Sequence, residues 1–246
     1  MAEHDKILLR EVYKEFGSTK VLQGLNLAIR AGETLVVMGR SGCGKSVMLK
    51  ILLGLILPDS GEIVIDDQEI TQLSEKDLVP IRQKIGMLFQ GSALFDSLTV
   101  GENVGYALKE HFKMPTEEIQ QVVKKNLSFV DLAGAEDLMP AALSGGMKKR
   151  VALARAMAYQ PEILLYDEPT TGLDPITATT INALIRKTQQ ELGVTSIVVT
   201  HELDSGFSVA DRIAVINDGV IIEIGSLHEV QKSKNNFVKL FLAGPK

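Results

Sequence analysis

The sequence lacks several features on which extracellular and membrane-spanning proteins depend. Its 246 residues include one cysteine, Cys43, so an internal disulfide is excluded and a reducing compartment is expected. Tryptophan is absent, which leaves tyrosine and phenylalanine as the only aromatic residues. The most apolar run, residues 51–57, is far shorter than the ~20 residues that span a bilayer, and the polar, acidic residues 1–5 predict no signal peptide. A role at a membrane would therefore depend on a partner.

An excess of positive charge is also missing. Lysine and arginine number 26 against 31 aspartates and glutamates, a net charge of −5, so we expect no nucleic-acid partner held by bulk charge. Lys148, Lys149 and Arg150 form a short basic run, which we interpret as a solvated helix face. Hydrophobic residues make up 45% of the chain, enough for a substantial core, and the length fits one α/β domain with an insert.

Apolar patterning predicts an α/β fold with a mostly parallel sheet. Runs rich in Val, Ile and Leu predict strands, and longer amphipathic stretches predict helices. A strand–helix–strand order over residues 163–199 is typical of parallel pairing. The predicted strands are residues 7–12, 21–29, 35–38, 61–65, 85–89, 163–166, 195–199 and 213–216, and the predicted helices are residues 45–55, 100–109, 117–130, 145–158 and 175–192.

These elements predict a single domain over residues 1–246. Residues 1–90 and 161–246 would form the core, including an N-terminal β-subdomain whose first strands pair antiparallel. Residues 91–160, which read as helices, would form an inserted helical subdomain.

A glycine-rich segment after the strand at residues 35–38 predicts a phosphate-binding loop. Its glycines let backbone N–H groups point at phosphate oxygens, and the following helix adds the positive end of its dipole at the same place. Lys45 would supply a charge to the β- and γ-phosphates, and Ser46 a hydroxyl for Mg²⁺. The segment fits the pattern GxxxxGK[ST] and, with the residue after it, gives the predicted nucleotide-binding residues Gly39, Arg40, Ser41, Gly42, Cys43, Gly44, Lys45, Ser46 and Val47. We interpret Cys43 as a tolerated small residue rather than a modifiable thiol.

Two carboxylates end the apolar strand at residues 163–166. Asp167 would hold the Mg²⁺ shell, and Glu168 would polarise a water directed at the γ-phosphate. An apolar run that ends in Asp-Glu is a weak signal alone, because many strands leave the core in this way. The Asp-Glu pair indicates a hydrolytic site only because a phosphate-binding loop occurs earlier in the same chain.

A second glycine motif precedes the carboxylate pair. Leu143, Ser144, Gly145, Gly146 and Met147 resemble the signature motif of the ABC transporter ATPases, with Met147 where that family usually has glutamine. The resemblance covers nearly the whole chain and implies a P-loop NTPase fold, ATP hydrolysis, and a head-to-tail homodimer that shares two ATP molecules. In such a dimer the serine and the two glycines face the γ-phosphate held by the opposite subunit, where a hydroxyl, N–H groups and a helix dipole meet.

Four further positions resemble ABC motifs. Gln90 follows a strand like the Q-loop glutamine, which implies contact with Mg²⁺ and the attacking water. Asp174, in a Gly-Leu-Asp-Pro segment, is similar to the D-loop aspartate and is implied at the dimer interface. His201 ends a strand like the switch histidine that senses the γ-phosphate. Phe16 resembles the aromatic residue that stacks on adenine, and Tyr13 is the alternative candidate for this position.

A narrower resemblance points to a subgroup. The run from Gln90 to Phe95, the variant Met147 and the residues after Asp174 are similar to the Mla/Mkl group of phospholipid-transport ATPases. This resemblance implies an ATPase at the cytoplasmic face of the bacterial inner membrane. Its implied partners are an integral-membrane permease of the MlaE type and a substrate-binding protein with an MCE domain. Some systems of this kind also carry a STAS-domain protein.

Three other functions fit parts of the sequence. An ABC importer subunit for an amino acid or a metal would differ mainly in its permease. A soluble ABC ATPase in DNA repair or translation usually carries tandem domains or a long coiled coil, and this chain has one set of motifs and no heptad run. A nucleoside kinase would leave Ser144 to Gly146 and His201 without a task.

Overall fold

The computed structural model describes residues 4–243, which form two β-sheets and surrounding helices. The prediction of no signal peptide falls partly on residues 1–3, which lie outside the described residues, as do residues 244–246 of the predicted domain. The strands are β1 Asp5–Phe16, β2 Thr19–Arg30, β3 Thr34–Met38, β4 Ser60–Ile65, β5 Gln68–Glu69, β6 Ile85–Leu88, β7 Ile163–Asp167, β8 Thr195–Thr200, β9 Arg212–Asn217 and β10 Val220–Gly225. The helices are α1 Lys45–Leu52, α2 Glu75–Arg82, α3 Val100–Glu110, α4 Thr116–Phe129, α5 Gly145–Met157, α6 Pro175–Leu192, α7 Leu203–Val209, α8 Leu227–Gln231 and α9 Asn236–Ala243, with a 3₁₀ turn at Pro140–Ala142.

A six-stranded sheet in the order β10-β9-β3-β8-β7-β6 forms the centre of the described chain. The strands from β9 to β6 are parallel neighbours, and β10 pairs antiparallel with β9 at one edge. Strands β3, β6, β7 and β8 are buried along their whole length, as expected where side chains cover both faces of a sheet. The predicted mostly parallel sheet is confirmed, and the carboxyl ends of its parallel strands meet at one edge.

The N-terminal strands form a second, antiparallel sheet in the order β2-β1-β4-β5. Its first hairpin extends beyond the predicted strands to a turn at Gly17. Asp66 and Asp67 make the β4–β5 turn with φ angles of 51° and 60°. A two-residue turn with positive φ at both positions matches the twist of paired strands, and aspartate tolerates that conformation. The predicted antiparallel N-terminal strands are confirmed.

Two hydrophobic cores lie on opposite faces of the central sheet, because successive side chains of a strand alternate in direction. In β3, Leu35 and Val37 belong to the core shared with the N-terminal sheet and α1. Val36 and Met38 belong to the core shared with α3 to α6. The phosphate loop therefore follows a strand, β3, whose side chains are packed in a hydrophobic core on each face of the sheet.

The helices α3, α4 and α5 lie within residues 91–160 and pack on one another. Thr99 and Glu102 form a capping box that starts α3. Helix α5 also packs on β6, where a Cβ on Gly86 would collide with the carbonyl oxygen of Ala156. The boundaries of the helical subdomain stay a prediction, and α5 is the helix that joins this region to the central sheet.

Helix α1 is shorter than the predicted 45–55, since it ends at Leu52. Gly54 adopts a φ of 64°, and the N–H of Leu55 returns to the carbonyl of Lys50, which closes the helix with a left-handed turn. Among residues 4–243, no helix combines the length and the hydropathy needed to cross a bilayer.

Candidate active site

The phosphate loop connects β3 to α1 through conformations that require glycine. Gly44 precedes α1 with a φ of 102°, and no side chain caps the helix there. A Cβ on Gly39 would lie 2.5 Å from the carbonyl oxygen of Ile216, and one on Gly44 would lie 2.8 Å from Leu22 Cδ2. The uncapped N–H groups of the first helical turn, at the positive end of the helix dipole, suit an anion.

Lys45 places a positive charge at this helix start. Its side chain is 5% exposed, and Nζ donates to the carbonyl oxygens of Gly39 at 2.8 Å and Arg40 at 3.0 Å. Nζ also lies 3.7 Å from Glu168 Oε1. The ammonium is therefore held inside the loop mainly by neutral carbonyl oxygens, which are weaker acceptors than the charged oxygens of a polyphosphate.

Ser46 and Asp167 bring together two hard oxygen donors. Ser46 Oγ donates to Asp167 Oδ1 at 2.8 Å, which joins the start of α1 to the end of β7. Burial raises the pKa of Asp167, although the hydrogen bond from Ser46 opposes it. No cluster of three or more acidic, histidine or cysteine ligands occurs among residues 4–243. This donor set fits Mg²⁺, which usually takes one or two protein oxygens and completes its shell with phosphates and water.

Glu168 follows Asp167 and is the most constrained group of the site. Its backbone has a φ of 48°, an uncommon conformation for glutamate, and its N–H donates to the carbonyl of Val199 at 2.9 Å. Its Oε2 lies 2.9 Å from His201 Nδ1 and accepts a hydrogen bond from Thr171 Oγ1 at 3.0 Å. Burial acts to raise the pKa of Glu168, but the hydrogen bond and charge of His201 and the charge of Lys45 outweigh it, so the net pKa lies below the usual value. The carboxylate is therefore ionised at neutral pH and can accept a proton.

Gln90 reaches the site through its backbone. It follows β6, its side chain is exposed, and its carbonyl oxygen accepts a hydrogen bond from Lys149 Nζ at 2.5 Å. Lys149 Nζ also donates to the carbonyl oxygen of Glu168 at 3.2 Å. One ammonium therefore joins the second residue after β6 to the first residue after β7.

The interpretation of residues 148–150 as a solvated face is wrong at Lys149, which is 4% exposed. Burial lowers the pKa of this lysine, although nearby carboxylates oppose the effect. Its α5 neighbours at the third, fourth and seventh following positions, Ala152, Leu153 and Ala156, are all buried. This helical spacing is visible in the sequence and would have placed Lys149 on the buried face.

The predicted signature residues and Asp174 form a second group. Ser144 caps α5 by accepting from the N–H of Met147 at 3.2 Å, and Gly146 packs so closely on Thr177 that a Cβ would collide with it. Asp174 caps α6 and accepts from the N–H of Thr177 at 3.0 Å. Within residues 4–243, no hydrogen bond joins Ser144, Gly145 or Gly146 to the phosphate loop. This group therefore presents a second helix N-terminus, apart from the first.

Phe16 lies at the exposed end of the β1–β2 hairpin and is 48% exposed. Lys14 Nζ is 5.3 Å from its ring centroid. Tyr13 is also exposed, but its hydroxyl donates to Glu11 Oε2 at 3.3 Å and packs against Gly24, where an added Cβ would lie 2.8 Å from it. The hairpin continues to Val21, which lies against Gly44 of the phosphate loop. Phe16 thus presents an exposed ring whose cationic neighbour is Lys14, whereas Tyr13 is tied to Glu11 through its hydroxyl.

The remaining loop residues contribute less to the chemistry. Arg40 and Ser41 are exposed, and the Arg40 guanidinium lies 5.2 Å from the ring centroid of Phe237. Val47 packs beside the core below α1. Burial raises the pKa of the Cys43 thiol, which favours its protonated, less reactive form.

The geometry fits a P-loop ATPase: a glycine loop at a helix N-terminus that suits polyphosphate, two adjacent oxygen donors that suit Mg²⁺, and an ionised glutamate hydrogen-bonded to a histidine. The ABC transporter family profile matches residues 22–171, and the chain belongs to this family. It is therefore an enzyme that binds and hydrolyses ATP.

Individual relatives include two transport systems and one solved dimer. The chain is 40% identical, over 93% of its length and 86% of the relative's, to the intermembrane phospholipid transport system ATP-binding protein MlaF of Haemophilus influenzae. It is 42% identical to the methionine import ATP-binding protein MetN of Mesorhizobium japonicum, over 93% of this chain and 62% of that one. The dimeric ABC cassette MJ0796, solved in a post-hydrolysis state with ADP and Pi, aligns with a TM-score of 0.82 and 37% identity over 90% of this chain and 98% of that one.

Proposed function

We propose that this chain powers the movement of phospholipids between bacterial membranes as the ATPase subunit of an ABC transporter. The similarity to MlaF carries this proposal, because it runs through nearly the full length of both proteins. The resemblance of the run from Gln90 to Phe95 to the Mla/Mkl group supports it, and this run is tied to α5. Arg155 donates to the carbonyl oxygens of Ser92 at 2.8 Å and Ala93 at 2.6 Å, which holds both residues at positive φ.

In this proposal the site residues divide the work on Mg·ATP. Lys45 and the first turn of α1 bind the β- and γ-phosphates. Ser46, Asp167 and Gln90 would hold Mg²⁺, which would stabilise the charge of the transferred phosphoryl group. Phe16 stacks on adenine. The loop residues Gly39 to Val47 complete the nucleotide contacts.

Glu168 is the proposed general base for hydrolysis. Its carboxylate is ionised and accepts a proton from the attacking water, and His201 holds the carboxylate in orientation. The other side of the His201 ring is half-exposed, and we propose that it contacts the γ-phosphate of bound ATP.

A second copy of this chain completes each site in the proposed dimer. Ser144 and Gly145 are exposed at the N-terminus of α5, with the buried Gly146 behind them, and none of the three makes a hydrogen bond to the phosphate loop among the described residues. An anion must therefore reach them from outside the chain, and the γ-phosphate bound by the opposite subunit has that charge. Asp174, which caps the adjoining helix, lies at the same interface.

The helical region offers the proposed surface for the permease. Phe95 and Tyr106 are partly exposed with ring centroids 4.7 Å apart, and Leu138 and Met139 are exposed where residues 136–138 pair with the start of α3. Exposed apolar side chains that are grouped in this way are typical of interaction sites, and we propose this one as the permease contact. An MlaE-type permease would dock here and place the chain at the cytoplasmic face of the inner membrane. An MCE-domain protein, and in some systems a STAS-domain protein, would complete the complex.

A methionine importer is the second candidate, because the chain is 42% identical to MetN and 40% identical to MlaF, although it spans only 62% of MetN. Reconstitution separates the two. The chain, co-purified with its MlaE-type permease and MCE-domain protein, should transfer a fluorescent phospholipid between vesicles only with Mg·ATP, and Glu168→Gln should abolish the transfer. ATP hydrolysis that is coupled to methionine uptake with a methionine permease, without lipid transfer, would contradict the proposal.

A further inference from the structure

Lys149 is a buried cation in a helix whose buried face is otherwise apolar. It lies one turn before Ala152 and Leu153, and all three side chains are buried. An ammonium withdrawn from water is costly unless strong acceptors replace its hydration. The contacts that hold Lys149 in place therefore have to be substantial.

Those contacts are two carbonyl oxygens at the catalytic edge of the sheet. Lys149 Nζ donates to Gln90 O at 2.5 Å and to Glu168 O at 3.2 Å. Strands β6 and β7 are parallel neighbours that pair Leu88 with Tyr166, and each acceptor lies two residues beyond this pair. Both carbonyls lie beyond the last paired residues of β6 and β7. Lys149 therefore connects the two chain segments where the hydrogen bonds of the sheet have ended.

The carbonyl of Glu168 belongs to the residue with the unusual backbone. At a φ of 48° a glutamate stores strain, which persists only where surrounding contacts impose it. Its N–H is fixed by Val199 O at 2.9 Å, and its C=O is fixed by Lys149. These two bonds set the plane from which the Glu168 carboxylate projects.

The same helix begins at the proposed cross-dimer phosphate site. Ser144 caps α5, and Lys149 follows five residues later, about 7.5 Å along the helix axis. A displacement of the helix start therefore moves the ammonium that holds Glu168 and Gln90. The residue after Gln90 opens the segment that leads to the exposed Phe95.

We propose that Lys149 is a positioning residue for ATP hydrolysis, which couples the start of α5 to the backbones of Glu168 and Gln90. This inference rests on the proposed role of Glu168 as general base. Lys149 does not contact the nucleotide in this account. Its removal should therefore slow turnover and leave ATP binding unchanged, since a small misplacement of a catalytic group is costly.

The test compares Lys149→Met, Lys149→Arg and the matched control Lys148→Met in the full-length chain. Methionine keeps the length of the side chain and removes its donors, whereas arginine retains N–H donors for both carbonyls. We expect Lys149→Met to lower kcat roughly 10- to 100-fold with an unchanged KM for ATP. Lys149→Arg should recover most of kcat, and Lys148→Met, a half-exposed neighbour, should match the wild type.

Normal kcat in Lys149→Met would overturn the proposal, as would a rise in KM that accounts for the whole loss. A loss in Lys149→Met that Lys149→Arg does not relieve would overturn it as well. Circular dichroism and thermal unfolding establish that each variant is folded. If Lys149→Met does not fold, Lys149→Gln takes its place, and the same fall in kcat at constant KM is expected because its shorter amide cannot reach both carbonyls.

The turnover of Glu168→Gln, measured in parallel, tests the role of Glu168 as general base separately from the role of Lys149. Wild-type turnover in Glu168→Gln would remove the assigned base and, with it, the reason for positioning. An inactive Glu168→Gln beside a fully active Lys149→Met would refute the role of Lys149 alone.

Discussion

Single residues of the site adopt backbone conformations that only some side chains tolerate. Gly44 starts α1 with a φ of 102°, where its missing Cβ also makes room for Leu22. This conformation directs the first N–H groups of the helix into the phosphate loop. The conformation of the loop thus depends on the absence of a side chain at Gly44, just as its charge depends on Lys45.

The substitution Gly44→Ala should lower the free energy of unfolding by about 2 kcal/mol, because it adds backbone strain and a close contact. Gly91→Ala is the control, since its φ is not positive and none of the described atoms lies within 4 Å of the added Cβ. The control should change the unfolding free energy by less than about 0.5 kcal/mol. Urea denaturation measures both, and equal effects would contradict this account of the loop.

Sequence patterns reveal these site residues unevenly. The loop from Gly39 to Ser46 is readable because its local backbone geometry demands glycine at fixed spacing. For Lys149, the helical spacing to the apolar residues Ala152, Leu153 and Ala156 indicates burial but does not identify the acceptors. Its acceptors, Gln90 and Glu168, are 59 and 19 residues away in the chain, and only tertiary packing brings them to the ammonium.

Among the secondary-structure elements, β1, the β4–β5 turn and β6 are joined by an ion cluster. Asp66 in the turn lies 2.5 Å from Lys6 Nζ and 3.0 Å from Lys84 Nζ, and Lys6 also contacts Glu162. Burial acts to raise the pKa of Asp66, but the hydrogen bonds from the two lysines outweigh it and lower the net pKa. The side chains of Asp66 and Lys6 are 24% and 12% exposed, so solvent screens them only in part.

This cluster predicts a pH-dependent contribution to stability. Because the folded-state pKa of Asp66 is depressed, its contribution is full above the unfolded-state value and is lost as pH falls through the folded-state value. Asp66→Asn should lower the unfolding free energy by about 1 kcal/mol near pH 7. The difference from the wild type should shrink once the pH falls below the ordinary value of 3.8.

The neighbouring turn residue supplies the control for Asp66. Asp67 has a similar φ of 60°, and its side chain is 84% exposed. Asp67→Asn should leave the unfolding free energy within about 0.5 kcal/mol of the wild type at every pH. A deficit of the same size in both variants, or one in Asp66→Asn that persists at low pH, would show that the turn rather than the charge matters.

Element types were predictable where apolar periodicity is long, and element ends were not. The buried strands β3, β7 and β8 each contain a continuous apolar run, and the parallel pairing of β7 and β8 follows from the helix α6 that connects them. The end of α1 was missed because an apolar pattern continues through residues 53–57, while Gly54 closes the helix. Apolar spacing reports burial, and a helix end is decided by backbone hydrogen bonds that spacing does not record.

For the whole molecule, the separation of two helix N-termini determines the proposed mechanism. The start of α1 lies with the phosphate loop, and the start of α5 faces solvent at Ser144. An isolated chain can therefore bind ATP with one of them, and a second chain is needed to bring both to one phosphate. Closure of the dimer would bring Ser144 of one copy to the γ-phosphate held by the other.

This arrangement predicts that nucleotide binding and dimer formation can be separated. Ser144→Arg should bind ATP with roughly wild-type affinity, since Ser144 has no bond to its own phosphate loop. It should nevertheless fail to dimerise and to hydrolyse ATP, because the bulky cation blocks the shared site. Ser128→Arg, at an exposed position of α4, is the control and should behave like the wild type. Loss of ATP affinity in Ser144→Arg would contradict the separation.

The head-to-tail dimer is tested most directly by the molar mass of the Glu168→Gln protein in Mg·ATP, measured by light scattering. Slow hydrolysis in this variant should preserve the closed state, so the measured mass should double on addition of ATP. Adding Ser144→Arg to the same protein should return the mass to that of one chain. A Glu168→Gln protein that binds ATP and stays monomeric, or a double variant that still dimerises, would contradict the shared-site mechanism.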